Sequence, residues 1–326
     1  MVRLTGRHRP ARPQPGRDGP PRSATSSLHG ERLMQFRNLI VFALVCVVAA
    51  CAGSDAGSEA SGSGEAVMTA LESPQLPLIE LWKAGTPAFG IFAPSDRPMR
   101  GPDGEFQPPV YSVEGGMRMA ANPLLDYVFL NLEPAWDPAA VAAIREGLDS
   151  PDRVSDKALL VRIPPISEDG EEAARERVHA ALAAGADGIV MPHVRSVDEA
   201  RLAISFFEEV DADVWSPSNP DGTVLAMLMI EDPGALEQAA EIADVPGYSV
   251  LACGIGSLTR ALGDREAGEA GNQEVLAQAK RVGLPDMITA NDQNVAQRIE
   301  EGFLGLLMNG PDADAHIEIG RSAAGR

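Results

Sequence analysis

The chain has 326 residues, 44% of them hydrophobic, and a formal charge of −20 at neutral pH. That length and apolar content suffice for one buried core of about barrel size. A surface this acidic excludes nucleic acid as a main partner, because phosphate neutralisation needs Lys and Arg. Aromatic residues are only 5%, so the core has to be aliphatic, and Cys46, Cys51 and Cys253 are too few for a disulfide framework.

The charge is unevenly spread. Residues 1–50 hold eight Arg against Asp18 and Glu31, which leaves 19 basic and 45 acidic residues beyond them, or −26. Residues 1–33 are rich in Arg, Pro and Gly without apolar periodicity. They read as a disordered arm, or as a mis-assigned start with Met34 as the true initiator. Met34 to Cys51 then reads MQFRNLIVFALVCVVAAC, with a positive charge at Arg37, an apolar run from Leu39 to Val48 and small residues before the cysteine. This is secretory signal architecture, too short for a span of about 20 residues. V-A-A-C resembles the bacterial lipobox, which makes Cys51 the expected lipidation site and mature N-terminus. The alternative is an ordinary cleaved signal with Cys51 incidental. Residues 52–66, AGSDAGSEASGSGEA, form a flexible Gly/Ser tether. Signal (34–51) and tether (52–66) together predict an exported domain, lipid-anchored to a bacterial membrane on its periplasmic face or at the cell surface, with residues 67–326 as the folded part.

Residues 67–87 predict a helix stopping at Gly85. Eight short apolar runs follow: AFGIFAP (88–94), YVFLNLE (127–133), ALLVRIP (158–164), GIVMPHV (188–194), AMLMIED (226–232), VLACGIG (250–256), DMITAND (286–292) and FLGLLM (303–308). Helical patterns separate most of them, at 138–148, 171–185, 196–210, 233–243, 272–283 and 294–302. Eight strands of buried type alternating with helices predict a single α/β domain, a TIM (β/α)8 barrel, with function at the strand carboxyl ends. Residues 95–116 form a Pro/Gly-rich insertion after the first strand and predict a cover on that face. A second irregular stretch, 211–222, predicts a loop at one rim, and the tail after Met308 a weak closing helix.

Several strand ends carry chemistry. Arg162 is a guanidinium fork suited to a carboxylate. Glu133, Glu231 and His193 end three other strands. Asp232 reads as the N-cap of the next helix, with Pro233 at its first position, and Asp292 as the cap of the helix near 294. G-I-G-S (254–257) leaves backbone N–H groups at a strand end for an anion, or is a tight turn.

The stretches LIELWKAGTPAFGIFAP, DYVFLNLEP, LLVRIPP, AGADGIVMPHVRSVDEARLAI and MIEDPGALEQAAEIADVPGYSVLACGIGSLTRALG resemble the HpcH/HpaI 2-oxo-acid aldolases of the citrate lyase beta-chain superfamily, over about residues 77–308. The resemblance implies a metal-assisted carbon–carbon lyase acting on a small 2-oxo or hydroxy acid, with Mg²⁺ or Mn²⁺ as cofactor. It implies Arg162 as substrate clamp and Glu231 as metal ligand with help from Glu133, while Gly256 and Ser257 are taken as further substrate contacts from the amides of G-I-G-S. The pattern departs from the family at two motifs. The family's G-P-A-D-L-S stands here as Gly254-Ile255-Gly256-Ser257-Leu258-Thr259, so Ser257 replaces a ligand Asp. The family's D-x-E-H stands as Asn131-Leu132-Glu133-Pro134, so proline replaces the catalytic His. A hard divalent cation wants several charged oxygens, and proline moves no proton.

Two functional readings follow. In the first, Arg162 orients the carboxylate, Glu231 and Glu133 keep a cation, and His193 or water is the base. In the second, the chain is a non-catalytic, surface-anchored binding protein for a small carboxylate, Glu231 is paired with Arg162, and His193 is a hydrogen-bonded rim residue. The resemblance also implies a homo-oligomer, although the short tail lacks the length the family exchanges between subunits.

Overall fold

The computed structural model describes residues 75–326. The arm at 1–33, the signal at 34–51 with Cys51, and the tether at 52–66 lie outside the described residues. The order begins α1 (Pro77–Lys83), β1 (Ala88–Phe92), α2 (Val113–Ala120), β2 (Tyr127–Asn131), α3 (Pro138–Leu148), β3 (Ala158–Arg162), α4 (Ile166–Asp169), α5 (Glu171–Ala183), β4 (Gly188–Met191), α6 (Val197–Glu208) and β5 (Leu225–Ile230). It continues with α7 (Pro233–Leu236), α8 (Ala239–Ala243), β6 (Val250–Cys253), α9 (Ile255–Leu262), α10 (Arg265–Val282), β7 (Met287–Thr289), α11 (Val295–Glu301), β8 (Gly305–Met308) and α12 (Ala313–Ala323). No helix among the described residues is long and apolar enough to cross a membrane.

All eight strands are parallel, in the order β6-β5-β4-β3-β2-β1-β8-β7. This is the expected TIM-type barrel, closed except at one seam. Between β6 and β7 there is no ladder, and the amide of Leu251 donates to the carbonyl of Pro285 at 3.3 Å across the gap. The strand runs are shorter than the apolar stretches that signal them, because most stretches continue into the loop that leads to the next helix.

Strand periodicity sorts the residues into two cores. Ala158, Leu160, Phe129, Met227, Met229 and Ala252 line the barrel interior, while Leu159, Val161, Val128, Leu228 and Leu251 pack outward against the helices. Trp82 and Trp215, with ring centroids 6.2 Å apart, join the interior cluster. Trp215 comes from the 211–222 segment, which stands ahead of β5 and therefore closes the amino-terminal end of the barrel. The interior is thus open at the carboxyl ends of the strands.

The helices differ from expectation in three places. The 233–243 stretch breaks into α7 and α8 at Gln238. The helix predicted from 272 begins seven residues earlier, at Arg265, because Asp264 caps the amide of Ala267. The weak tail forms the 11-residue α12, whose Ile317 is fully buried and whose following Arg326 clamps Asp126 with both terminal nitrogens at 2.7 and 2.8 Å. Part of the 95–116 insertion is helical: Ser112 accepts from the amide of Gly115 and starts α2.

Asp286, just before β7, is a buried carboxyl with no hydrogen-bond partner on either oxygen. Burial pushes its pKa well above the ordinary range, against partial pulls from the Met287 amide and Lys280. A group with a raised folded pKa stabilises the fold below its unfolded pKa of about 3.9 and loses that contribution as pH rises toward the folded value. Asp286→Asn should therefore gain stability relative to wild type as pH increases from 4 to 8, read as the difference in melting temperature between the two proteins.

Candidate functional site

The inward parity of three strands converges on the mouth. Along β3 the inward series Ala158, Leu160 ends at Arg162. Along β5 the series Met227, Met229 continues to Glu231, and along β2 the series Tyr127, Phe129, Asn131 continues to Glu133. Arg162 Nη2 lies 2.7 Å from Glu133 Oε2, and donates to Glu231 Oε2 at 3.0 Å and Oε1 at 3.3 Å. The Glu231 side chain is 1% exposed. An isolated carboxylate there would be costly, so the guanidinium is a condition of its burial. Gly254 makes room for it: a Cβ at that position would sit 1.9 Å from Glu231 Oε1.

His193 joins from the loop after β4. Its amide donates to Glu231 Oε2 at 3.1 Å. Its ring Nε2 is 3.5 Å from Glu231 and 3.7 Å from Glu133, and Nδ1 is 3.3 Å from Asp232 Oδ2. The backbone of His193 sits at φ 50°, in the left-handed region, a conformation that histidine adopts more readily than most residues. Asp232 does occupy the N-cap position of α7, with Pro233 first in the helix, but its side chain makes no capping bond and turns to His193 instead. Asp292 is not a cap: Asn294 holds the N-cap position of α11, and Asp292 lies 3.6 Å from His316.

G-I-G-S directly follows the end of β6 and is more than a turn. It opens α9, with Gly254 as N-cap and no side chain capping the helix. The amides of that first turn face the mouth with the positive end of the helix. They border a cavity of about 240 Å³ lined by Arg162, Glu231, Gly256, Ser257, Arg260 and Thr289 over an apolar floor of Phe92, Phe129, Met227, Met229, Met287 and Leu307. Arg162, Glu231, Gly256 and Ser257 therefore come together as the sequence suggests. Glu133 and His193 stand behind Arg162 and Glu231 and do not line this cavity. Among the described residues, Arg162 Nε and Nη1 have no hydrogen-bond partner, and Nε is buried.

The wall holds residues that the sequence reading passed over. Arg260 lies three residues beyond Ser257 on α9, a helical spacing that becomes visible only once α9 is recognised. A second cavity of about 440 Å³ adjoins the first, sharing Ile255, Gly256 and Thr289, and is bordered by Arg265, Asn291, Asn294, Glu269 and Arg298. Arg298 is bound by Glu269 through both terminal nitrogens, at 2.5 and 2.7 Å, and by Glu301 at 2.9 Å. This pairing holds the Glu269 carboxyl down at about 2.

A divalent cation does not fit the donors as folded. Glu133 and Glu231 both face the guanidinium, Ser257 on the cavity wall is neutral, and among the described residues no group of three His, Cys, Asp or Glu side chains could hold a metal ion. The position between the two carboxylates is occupied by the protein's own cation. As folded, Glu231 is the partner of Arg162.

A model of the HpcH/HpaI aldolase/citrate lyase family matches residues 117–305, and the chain belongs to that family. Solved structures with the same fold include an HpcH/HpaI aldolase/citrate lyase family protein from Burkholderia cenocepacia, at 20% identity and TM-score 0.56 over 76% of this chain and 98% of that one. The citrate synthase SbnG gives 17% identity and TM-score 0.55 over 77% and 97%. The citrate lyase beta subunit of M. tuberculosis, complexed with oxaloacetate and magnesium, gives 19% and 0.51 over 75% and 99%. No curated protein matches the sequence.

Removing the guanidinium leaves Glu231 buried without compensation. Arg162→Met should cost about 3 kcal/mol in denaturant unfolding. Adding Glu231→Gln should recover a large part of that loss, because the buried charge goes with it. A double-mutant cycle with no coupling would contradict the pairing.

Proposed function

We propose that the protein binds a small 2-oxo or 2-hydroxy acid in the cavity at the barrel mouth, with Arg162 as the anchor for its carboxylate and no dependence on a divalent cation. The observation that carries this reading is the two-sided engagement of Arg162. Its Nη2 is locked by Glu133 and Glu231, while Nε and Nη1 have no partner among the described residues and the side chain lines the cavity. A guanidinium fixed in this way loses little entropy when a ligand binds, and charge-assisted hydrogen bonds to it contribute about 1.5–3 kcal/mol. The cavity volume of about 240 Å³ is below the range of drug-sized sites and suits an acid of a few carbons with an apolar end. Oxaloacetate in the M. tuberculosis relative is consistent with that class of ligand.

Carbon–carbon lyase chemistry is a second reading, favoured by the backbone of His193. A histidine in the left-handed region, close to two carboxylates, is an arrangement that recurs at working sites. In this reading Arg162 stabilises the negative charge that develops on the 2-oxo oxygen as a methyl proton leaves. Glu231, on the cavity wall, takes the proton, and His193 behind it passes the proton toward solvent. Pro134 contributes nothing to the transfer.

In both readings Cys51 would carry the lipid that keeps the domain at the membrane, and metabolic labelling with a fatty acid, lost in Cys51→Ala, tests that assignment.

Calorimetric titration with pyruvate, in EDTA and again with Mn²⁺, tests the binding. The expected outcome is the same affinity in both buffers, a loss of at least about tenfold in Arg162→Lys, which keeps the charge but not the fork, and no binding in Arg162→Met. Binding that needs Mn²⁺, or that survives in Arg162→Met, would overturn the reading. Deuterium exchange at the pyruvate methyl group decides the second: exchange lost in Glu231→Gln supports lyase chemistry, and no exchange in wild type leaves a binding protein.

A further inference from the structure

The insertion after β1 braces itself. The amide of Asp96 donates to the carbonyl of Val110 at 2.8 Å, that of Gln107 to Met99 at 2.9 Å, and that of Gly101 to Glu105 at 2.9 Å. Arg97 Nε and Nη2 donate to the Pro108 carbonyl at 3.0 and 2.6 Å. The loop's shape is thus set by its own bonds, which satisfy much of its backbone. Beneath it lies a third cavity, of about 670 Å³. Its walls are the ends of β1 and β2, the connection from β8 to α12, and Met99 and Tyr111 of the insertion.

This wall is unlike those of the other two cavities. Arg162, Glu231 and Arg260 line the first, and Arg265, Glu269 and Arg298 the second. Among the described residues the third carries no Asp, Glu, Lys, Arg or His, although 23% of the chain is charged. Two of its residues, Asn131 and Pro134, stand where the sequence departs from D-x-E-H, and the departure keeps that side neutral. An ionic ligand would lose its hydration here against no counter-charge. Three neutral donors remain. The Asn131 oxygen accepts from the amide of Glu133 at 3.2 Å and the Asn309 oxygen from that of Gly310 at 2.8 Å, which leaves both side-chain nitrogens without a partner among the described residues. The Tyr111 hydroxyl has none there either, and burial pushes its pKa up, so it stays a protonated donor.

From this we propose a second small-molecule site, for a neutral, mainly apolar ligand that carries a hydrogen-bond acceptor. Phe92, Met99 and Met308 take its apolar body, and Tyr111, Asn131 and Asn309 supply donors for its oxygen. The volume falls within the range of about 300–1,000 Å³ for such sites, and an apolar wall with a few polar groups is their usual composition. The cavity shares only Phe92 with the one that Arg162 lines, so the two sites stand or fall separately.

Both cores lie within the compact unit Met68–Arg326, so that domain is the one titrated. The first probe is prodan, an uncharged naphthyl ketone whose emission moves to the blue in apolar surroundings. The second is the anionic 8-anilinonaphthalene-1-sulfonate. The expected result is a saturable, one-to-one blue shift with prodan, binding of the sulfonate weaker by about tenfold or more, and a prodan affinity unchanged by excess pyruvate. Met99 is 49% exposed, so Met99→Asp should fold as wild type does. It puts a charge in the wall and should weaken prodan by about tenfold or more. Tyr111→Phe removes a donor and keeps the ring, and should weaken prodan by about threefold or more. Absence of a saturable shift, a sulfonate that binds as tightly as prodan, displacement of prodan by pyruvate, or a prodan affinity unchanged in both variants would each overturn the site.

Discussion

An arginine fixed between two glutamates is the constraint on which the mouth of this barrel depends. Glu231 is buried at the end of β5, and a carboxylate there is tolerable because Arg162 Nη2 lies 3.0 Å away. Glu133 holds the same nitrogen from the β2 side at 2.7 Å. The two contacts fix the guanidinium plane and leave its remaining donors without protein partners. Gly254 belongs to this arrangement, since any side chain there would displace Glu231. So does His193, whose amide donates to the same carboxylate. Three strands, one glycine and one left-handed histidine are thus tied to a single ion-paired cluster.

The cluster also sets the charge logic of the site. Two converging carboxylates at a barrel mouth invite a cation, and a divalent ion needs further charged oxygens to complete its shell. Here Ser257 is neutral, and the guanidinium lies between the two acids. An arginine cannot lose its proton in a protein and needs no exchange with solvent ions. As folded, the positive charge between the two acids is the permanent one of Arg162. That favours recognition of a carboxylate by shape and hydrogen bonding over strong polarisation of the bound oxygen.

Much of this was legible in the sequence, for identifiable reasons. The eight apolar runs announce the barrel because parallel strands covered on both faces leave little room for polar residues. The convergence of Arg162, Glu133 and Glu231 follows from strand-end position and inward parity, both readable from the runs themselves. The helix α9 was hidden because Gly254 and Gly256 imitate a turn, and Arg260 was hidden with it. The early start of α10 runs through Gly268 and Gly271, poor helix formers that here each pack closely against a neighbouring side chain. The seam between β6 and β7, which positions the second cavity, depends on backbone pairing that no residue pattern signals. Asp292 read as a cap because Asp, Asn and Ser are interchangeable at that position, and Asn294 is the residue that lies there.

The account's central claim is that Arg162, paired with Glu133 and Glu231, serves this mouth without a divalent cation. Its most direct test is the electron paramagnetic resonance signal of free Mn²⁺ titrated with the purified domain. The claim predicts an undiminished signal at millimolar protein. It also predicts that Arg162→Ala, which frees Glu133 and Glu231, removes signal by binding the ion. Tight Mn²⁺ binding by the wild-type protein, lost in Glu231→Gln, would contradict it.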